Sequence, residues 1–220
     1  MATIVDLSHV LTDGTITYPG LPGPVISDHL SREASHERYA PGYEFQIGRI
    51  DMVSNTGTYL DTPFHRFPDG HDLAGLDPAR VAGVPGVVVD GGAEPEIGPA
   101  VLDGIDLAGR AVLFRTGWDR HWGTDHYGDA DHPYLAVETA SRLADAGAAV
   151  VGIDSVNIDG TRTGERPIHT LLLGAGIPIV EHLCSLAALG DGSRPFRFFA
   201  VPPAIVGMGT FPVRALAILE

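Results

Sequence analysis

The run Ser54–Gly70, SNTGTYLDTPFHRFPDG, gathers side chains that can do acid–base or metal chemistry. Extended chain alternates its side chains, so Asn55, Gly57, Tyr59 and Asp61 fall on one face; His65 joins them unless Pro63 bends the chain. An amide, a phenol, a carboxylate and an imidazole on an apolar strand must find partners or shift their pKa values once buried. A carboxylate with a histidine four residues on is the minimum for a metal ligand beside a general base. The same pair is also the pattern of a satisfied structural hydrogen bond. A second run, Gly152–Leu186, holds His169 just after Pro167, and Glu181 within the apolar stretch Ile177–Leu183. Pro167 suits the first turn of a helix, whose N-terminus would attract an anionic or carbonyl oxygen. Glu181, next to Val180, either ends a strand in water, pairs with an arginine, or lies buried and needs a cation, a donor or a proton.

The elements that must position these groups are short and branched. Strands are expected at Thr3–Leu7, Phe45–Val53, Gly86–Asp90, Ala111–Thr116, Ala148–Ile153, Ile177–Leu183, Phe196–Val201 and Val213–Leu219. Leu135, Ala136, Ala140, Leu143 and Ala144 recur at helical spacing, and Gly147 can end that helix in a left-handed cap before the strand at Ala148. A shorter helix is expected from His169 to Leu173, stopped by Gly174 and Gly176. With 28 glycines and 17 prolines the remainder must be turn-rich, and Tyr18–Pro24 and Glu94–Ala100 read as loops. Too few helices separate the strands for a regularly wound parallel sheet, so the pattern is one α/β domain over residues 1–220, heavy in strand.

Composition narrows the function classes. The 220 residues, 44% hydrophobic and 19% charged, suffice for a buried core without disulfides, and the single Cys184 permits none within the chain. A formal charge of −14 with scattered arginines argues against nucleic-acid or anionic-membrane surfaces. No run approaches the ~20 apolar residues of a membrane span. Met1–Asp6 lacks the basic flank and apolar core of a signal peptide, so the cytoplasm is the expected location. His121, His126 and His132 share a loop with Asp119, Asp125, Asp129 and Asp131, but irregular spacing favours a solvated or interface segment over an ion site. Trp118, Trp122 and Tyr127 in that loop can wall a pocket or a subunit contact. Cys184 is expected to be a buried, inert thiol. Gly91-Gly92 and Gly207-Met208-Gly209 lack the strand and helix context of a dinucleotide fingerprint.

The two polar runs taken together resemble the cyclase family, which includes bacterial kynurenine formamidases and isatin hydrolases. The family pattern is close to H-x-G-T-H-x-D-x-P-x-H, and here it reads Asn55-Thr56-Gly57-Thr58-Tyr59-Leu60-Asp61-Thr62-Pro63-Phe64-His65. Asp6-Leu7-Ser8-His9, Tyr18-Pro19-Gly20, Arg115-Thr116-Gly117-Trp118, Gly152-Ile153-Asp154-Ser155, the His169 and Glu181 pair, and Pro212-Val213-Arg214-Ala215 extend the resemblance over nearly the whole chain. It implies a swivelling β/β/α-type α/β domain with a mixed or barrel-like sheet and few helices, assembling as a homodimer or homotetramer. It also implies metal-assisted hydrolysis of an amide or lactone-type bond in a small cyclic or aromatic substrate. By position Asp61, His169 and Glu181 correspond to metal ligands, His65 to the acid/base histidine, and Tyr18 to an aromatic residue beside the substrate.

Two departures bear on the cofactor. The family's first two histidines are Asn55 and Tyr59 here, and an amide oxygen or an un-ionised phenol is a much weaker ligand than imidazole. The remaining donors suit one divalent zinc or manganese ion, with Asn55 or Tyr59 donating to an oxyanion. They equally suit a metal-free cyclase, dehydratase or isomerase in which Asp61 and His65 work as an acid/base pair. A non-catalytic binding relative of the fold is the third alternative.

Overall fold

The computed structural model describes residues 3–190 and 194–220. Among them lie strands β1 (Thr3–Asp6), β2 (Val25–Leu30), β3 (Ile47–Asp51), β4 (Tyr59–Asp61), β5 (Ala82–Asp90), β6 (Glu96–Ile97), β7 (Ala111–Arg115), β8 (Tyr134–Leu135), β9 (Val150–Ile153), β10 (Ile179–Glu181), β11 (Phe196–Phe199), β12 (Thr210–Pro212) and β13 (Leu216–Leu219). The helices are α1 (Arg32–Ser35), α2 (Val137–Ala146) and α3 (Pro167–Gly174).

Nine strands form one mixed sheet in the order β1-β13-β11-β5-β7-β9-β10-β4-β12. Its centre, β5-β7-β9-β10, is parallel, and every other neighbour is antiparallel. The reason is legible in the residues: Ala111–Phe114 and Val150–Ile153 are buried throughout, as parallel strands covered on both faces must be. Alternation splits them between two cores. Val112 and Phe114 pack with Leu143 and Leu172 under α2 and α3, whereas Ala111 and Leu113 pack with Leu7, Leu60, Phe198 and Leu219. That second cluster joins residues from both ends of the sheet, and a lone bridge links Ser8 to Leu183. The sheet therefore curls over its own inner face, leaving the helices on the outer one.

Several elements differ from the sequence expectation. Helix α2 begins at Val137 rather than Leu135, because Tyr134 and Leu135 pair in parallel with β6 inside the expected Glu94–Ala100 loop. Gly147 caps it at φ 72°, as its position predicts. The run around Asp61 is extended only over Tyr59–Asp61: Gly57, at φ 67°, breaks the alternation before it, and Pro63–His65 forms a 3-10 turn after it. His65 thus reaches the site through a turn and not along a shared strand face. Four further strands, β2, β6, β8 and β12, carry too little periodicity to be read from sequence.

The His65 turn is held from behind. Thr62 donates both its backbone N–H and its hydroxyl to the Gly209 carbonyl, at 2.7 and 3.0 Å. A Cβ on Gly209 would lie 2.6 Å from His65 Cα and 2.8 Å from the Phe64 carbonyl carbon, so the side chain must be absent there. We expect Gly209→Ala to lower stability by roughly 1–3 kcal/mol through overpacking. Urea unfolding checks this, and an unchanged midpoint would contradict the packing described.

Candidate active site

Three neighbouring strands and one helix deliver the polar groups. In the β10–β4 register Glu181 faces Tyr59 and Ile179 faces Asp61, and in the β12–β4 register Thr210 faces Asp61. Glu181, Tyr59, Asp61 and Thr210 are therefore side by side because strand pairing makes them so. Helix α3 brings His169 to the same point. Its Nε2 is 3.6 Å from Asp61 Oδ2 and 3.6 Å from Glu181 Oε1, while His65 Nδ1 is 3.7 Å from Asp61 Oδ1. The four residues assigned to chemistry from sequence thus meet in one place, with Asp61, His169 and Glu181 almost wholly buried and His65 partly exposed.

Two residues overlooked in the sequence reading fix the rings. Asp159, fully buried, accepts the His169 Nδ1–H at 2.6 Å and also the backbone N–H groups of Ile168 and His169, at 2.7 and 3.1 Å. The helix N-terminus expected to attract a ligand oxygen is therefore occupied by the chain's own carboxylate. That bond leaves His169 Nε2 aimed at Asp61 and Glu181. Thr210 plays the matching part for His65. Its hydroxyl donates to Asp61 Oδ1 and so accepts from His65 Nδ1–H, at 2.8 Å, which leaves the lone pair on His65 Nε2. Asp159 lies ten residues before His169, a spacing without a motif, and Thr210 is 149 residues from Asp61.

The electrostatics follow from burial. Burial opposes charge on His169, but Glu181, the bond to Asp159 and Asp61 outweigh it and raise its pKa to about 10. Burial and the neighbouring Asp61 raise Glu181 to about 7, against the opposing pull of His169, Tyr59 and the Ile158 N–H. Asp61 runs the other way: burial would raise it, but His169, His65 and the Thr210 hydroxyl hold it below the usual carboxylate range. Tyr59 donates its single proton to Glu181 Oε2 at 2.6 Å, and the Ile158 N–H reaches Oε1 at 2.7 Å. Tyr59 is therefore a support for Glu181 and not an oxyanion donor, because its proton is committed. Burial, with Glu181 and Asp61 nearby, pushes its phenol well above 10.

A cavity of about 210 Å³ opens over these groups, and Tyr18, Leu21, Asn55, Asn157, Arg66 and Arg166 contribute to its walls. Two observations bear on a cation. Asp61 Oδ2 is buried without a hydrogen-bond partner, and a ring nitrogen 3.6 Å from two carboxylate oxygens calls for positive charge between them. Ligand atoms about 2.0–2.2 Å from an ion stand roughly 3.4 Å apart in a tetrahedral shell, close to these spacings. Asp61, His65 and His169 offer ligand atoms mutually within 4.8 Å, so His65 joins two of the expected ligands in that group while Glu181, the third, falls outside it.

Behind the site, His182 adopts a left-handed backbone at φ 55° and bonds Tyr127 Oη through Nδ1 at 2.8 Å. Burial lowers its pKa to about 3, so it serves as a neutral wall. The Trp118–His132 loop divides: Trp118, Tyr127 and His132 are buried, while His126, Asp129 and Asp131 are exposed. Cys184 is half-buried, not fully buried as expected, and burial raises its thiol pKa, in keeping with low reactivity. No helix among the described residues is long and apolar enough to cross a membrane.

Residues 5–160 match the family model named Cyclase ("Putative cyclase"). The chain belongs to the cyclase family. Relatives of this cyclase-family chain include the kynurenine formamidase of Bacillus cereus, 29% identical over 213 residues, covering 96% of this chain and 95% of that protein. Isatin hydrolase A from Ralstonia solanacearum superposes with a TM-score of 0.81 at 23% identity, over 100% of this chain and 92% of its own. A potential metal-dependent hydrolase with cyclase activity superposes at 0.80 and 24% identity, over 100% and 99%. These likenesses confirm the expected mixed α/β fold with few helices.

The raised pKa values carry a stability prediction for metal-free protein. A group whose pKa is raised on folding stabilises the fold below its unfolded value and loses that effect as pH climbs through the folded value. For Glu181 the loss runs from 4.5 to about 7, and for His169 from 6.5 to about 10. The Tm of chelator-treated protein should therefore fall between pH 6 and pH 10. A level or rising Tm over that range would refute these assignments.

Proposed function

We propose that this chain hydrolyses an amide (C–N) or lactone-type bond of a small cyclic or aromatic substrate, with His65 as general acid/base. The observation that carries this reading is the Asp61–Thr210–His65 chain opening onto the same cavity as His169 and Glu181. Its lone pair at Nε2 is the form a general base needs. His65 Nε2 takes a proton from water as the water oxygen bonds to the substrate carbonyl, then returns it to the leaving nitrogen or oxygen as that bond breaks. The Asn55 amide is the remaining donor toward the carbonyl oxygen, since the Tyr59 proton goes to Glu181. Tyr18 and Leu21 supply apolar wall for a ring. The kynurenine formamidase and isatin hydrolase relatives support an aromatic amide as the substrate class.

Asp61, His169 and Glu181, with His65 beside them, would hold one zinc or manganese ion, which when bound lowers the pKa of water and polarises a carbonyl. A second reading rests on the His169 pKa of about 10: an imidazolium at Nε2 can supply the positive charge instead, as a metal-free cyclase, dehydratase or isomerase would use it. Cytoplasmic location is supported by a single cysteine. A homodimer or homotetramer is supported by the β2–β3 ribbon, whose Val25, Ile26, Ile47 and Ile50 are exposed although a lone two-stranded ribbon is marginal in water.

Elemental analysis of protein purified without added metal should find a first-row divalent ion, and chelation should abolish turnover of an aryl formamide. Retained turnover without metal would show that hydrolysis needs no ion, with the His169 imidazolium supplying the positive charge. His65→Ala and His169→Ala should each fold and lose at least roughly 100-fold in kcat. Full turnover in both variants would sink the assignment. Light scattering should give a mass of two or four chains, and a monomer that shifts to no larger species at high concentration would remove the ribbon argument.

A further inference from the structure

Asn55 and Asn157 are the only asparagines in the chain, and both line the cavity over His65, His169 and Glu181. Asn157 opens the segment Asn157-Ile158-Asp159 beyond the end of β9, and all three residues serve the site. The Ile158 N–H donates to Glu181 Oε1 at 2.7 Å, and the Asp159 carboxylate accepts from His169 Nδ1 at 2.6 Å. Asn157 Oδ1 accepts the Asp159 N–H at 2.9 Å. A backbone N–H can only donate, so that bond fixes which end of the amide is oxygen and sends Nδ2 the other way. Among the described residues nothing accepts from Nδ2. The buried polar atoms left without a partner are His9 Nε2, Asp61 Oδ2 and His182 Nε2. Asn157 Nδ2, unpartnered but not sealed in, therefore keeps accessible surface, and in a residue only 7% exposed that surface is cavity wall.

Two other donors lining the cavity are spent or shared. The Tyr59 proton goes to Glu181 Oε2. Asn55 Oδ1 accepts from Ser54 Oγ at 3.2 Å, and burial raises the Tyr59 phenol while the Asn55 amide beside it opposes that rise. Of the two asparagines, Asn157 is thus the one with both amide protons uncommitted. An NH2 group cannot ligate a cation, and the Asn157 oxygen is turned to the backbone, so what this side chain can meet is an acceptor. We propose that Asn157 Nδ2 donates to the substrate's carbonyl oxygen, as a second donor beside Asn55. This rests on the hydrolytic reading of the same site. When the water oxygen bonds to the carbonyl carbon, the C=O electron pair moves onto oxygen. A donor already fixed by the Asp159 N–H then strengthens its bond to that oxygen without having to reorient. One three-residue segment thereby orients Glu181, His169 and the reacting carbonyl together.

Asn157→Asp tests it, because the new side chain keeps an acceptor for the Asp159 N–H and loses only the amide protons, whereas Asn157→Ala loses both. Each variant should lose roughly 100-fold in kcat on an aryl formamide with KM little changed, the pattern of a contact made in the transition state. The deciding readout is the infrared carbonyl stretch of isotope-labelled acetophenone, a carbonyl ligand that cannot be hydrolysed, at saturation on each protein. It should lie lower in wild-type protein than in either variant, since a hydrogen bond to the oxygen weakens the C=O bond. Lost turnover with the same stretch in all three proteins would show that Asn157 only holds Asp159 and His169 in place, and would overturn the proposal. Full turnover in Asn157→Asp, or no binding of acetophenone to wild-type protein, overturns it as well. If wild-type protein does not cleave the formamide, the hydrolytic reading fails, while the stretch still decides whether Asn157 meets a carbonyl oxygen. Melting curves confirm that each variant folds.

Discussion

Asp61, Asp159 and Glu181 are buried around His169, and among the described residues no arginine comes within ion-pair distance of any of them. Three carboxyl groups cannot all be ionised out of water beside one imidazole without large cost, so the charge must be managed locally. The structure manages it in three different ways. Asp159 takes two helix N-terminal N–H groups and the His169 ring, Glu181 takes the Tyr59 hydroxyl and a backbone N–H, and Asp61 takes Thr210. What is left over is Asp61 Oδ2, unpartnered and facing His169 Nε2. The site therefore retains an unmet demand for positive charge at one point, and a proton or a metal ion satisfies it.

The sheet exists in a form that allows this. Antiparallel strands β4 and β12 extend a parallel centre, and their registers set Glu181, Tyr59, Asp61 and Thr210 on adjacent rungs. Adjacent strands lie roughly 4.8 Å apart, a spacing that side chains of this size can bridge. The His65 turn then needs only to hold its ring above Thr210, and the backbone of Gly209 fixes that turn by leaving no room for a side chain. Precision in the site comes from strand pairing, and reach comes from the turn.

Much of this was legible in the residues. The central strands read as buried because Ala111–Phe114 and Val150–Ile153 are continuous apolar runs, and α2 showed its apolar face and its Gly147 stop. The Asp61, His65, His169 and Glu181 grouping came through the resemblance, since no local pattern links chain positions so far apart. Asp159 and Thr210 were invisible for a physical reason: each acts by touching another side chain, and neither an acid near a glycine nor a lone threonine announces a partner. The expected alternation from Asn55 to His65 failed because Gly57 and Pro63 are chain-turning residues inside a polar run, and such residues override period-two reasoning.

The exchange of two imidazoles for Asn55 and Tyr59 is best understood through Glu181. An imidazole opposite Glu181 would offer a lone pair toward an ion, while the Tyr59 phenol offers a proton to the carboxylate. Burial holds that phenol far above neutral pH, so it cannot become a phenolate ligand without strong help from a cation. Glu181 then has one oxygen engaged by Tyr59, and its other oxygen faces both the Ile158 N–H and His169. A carboxylate so engaged has little capacity to bridge two ions. The same exchange that removes two imidazole donors thus gives the buried Glu181 carboxylate a hydrogen-bond donor.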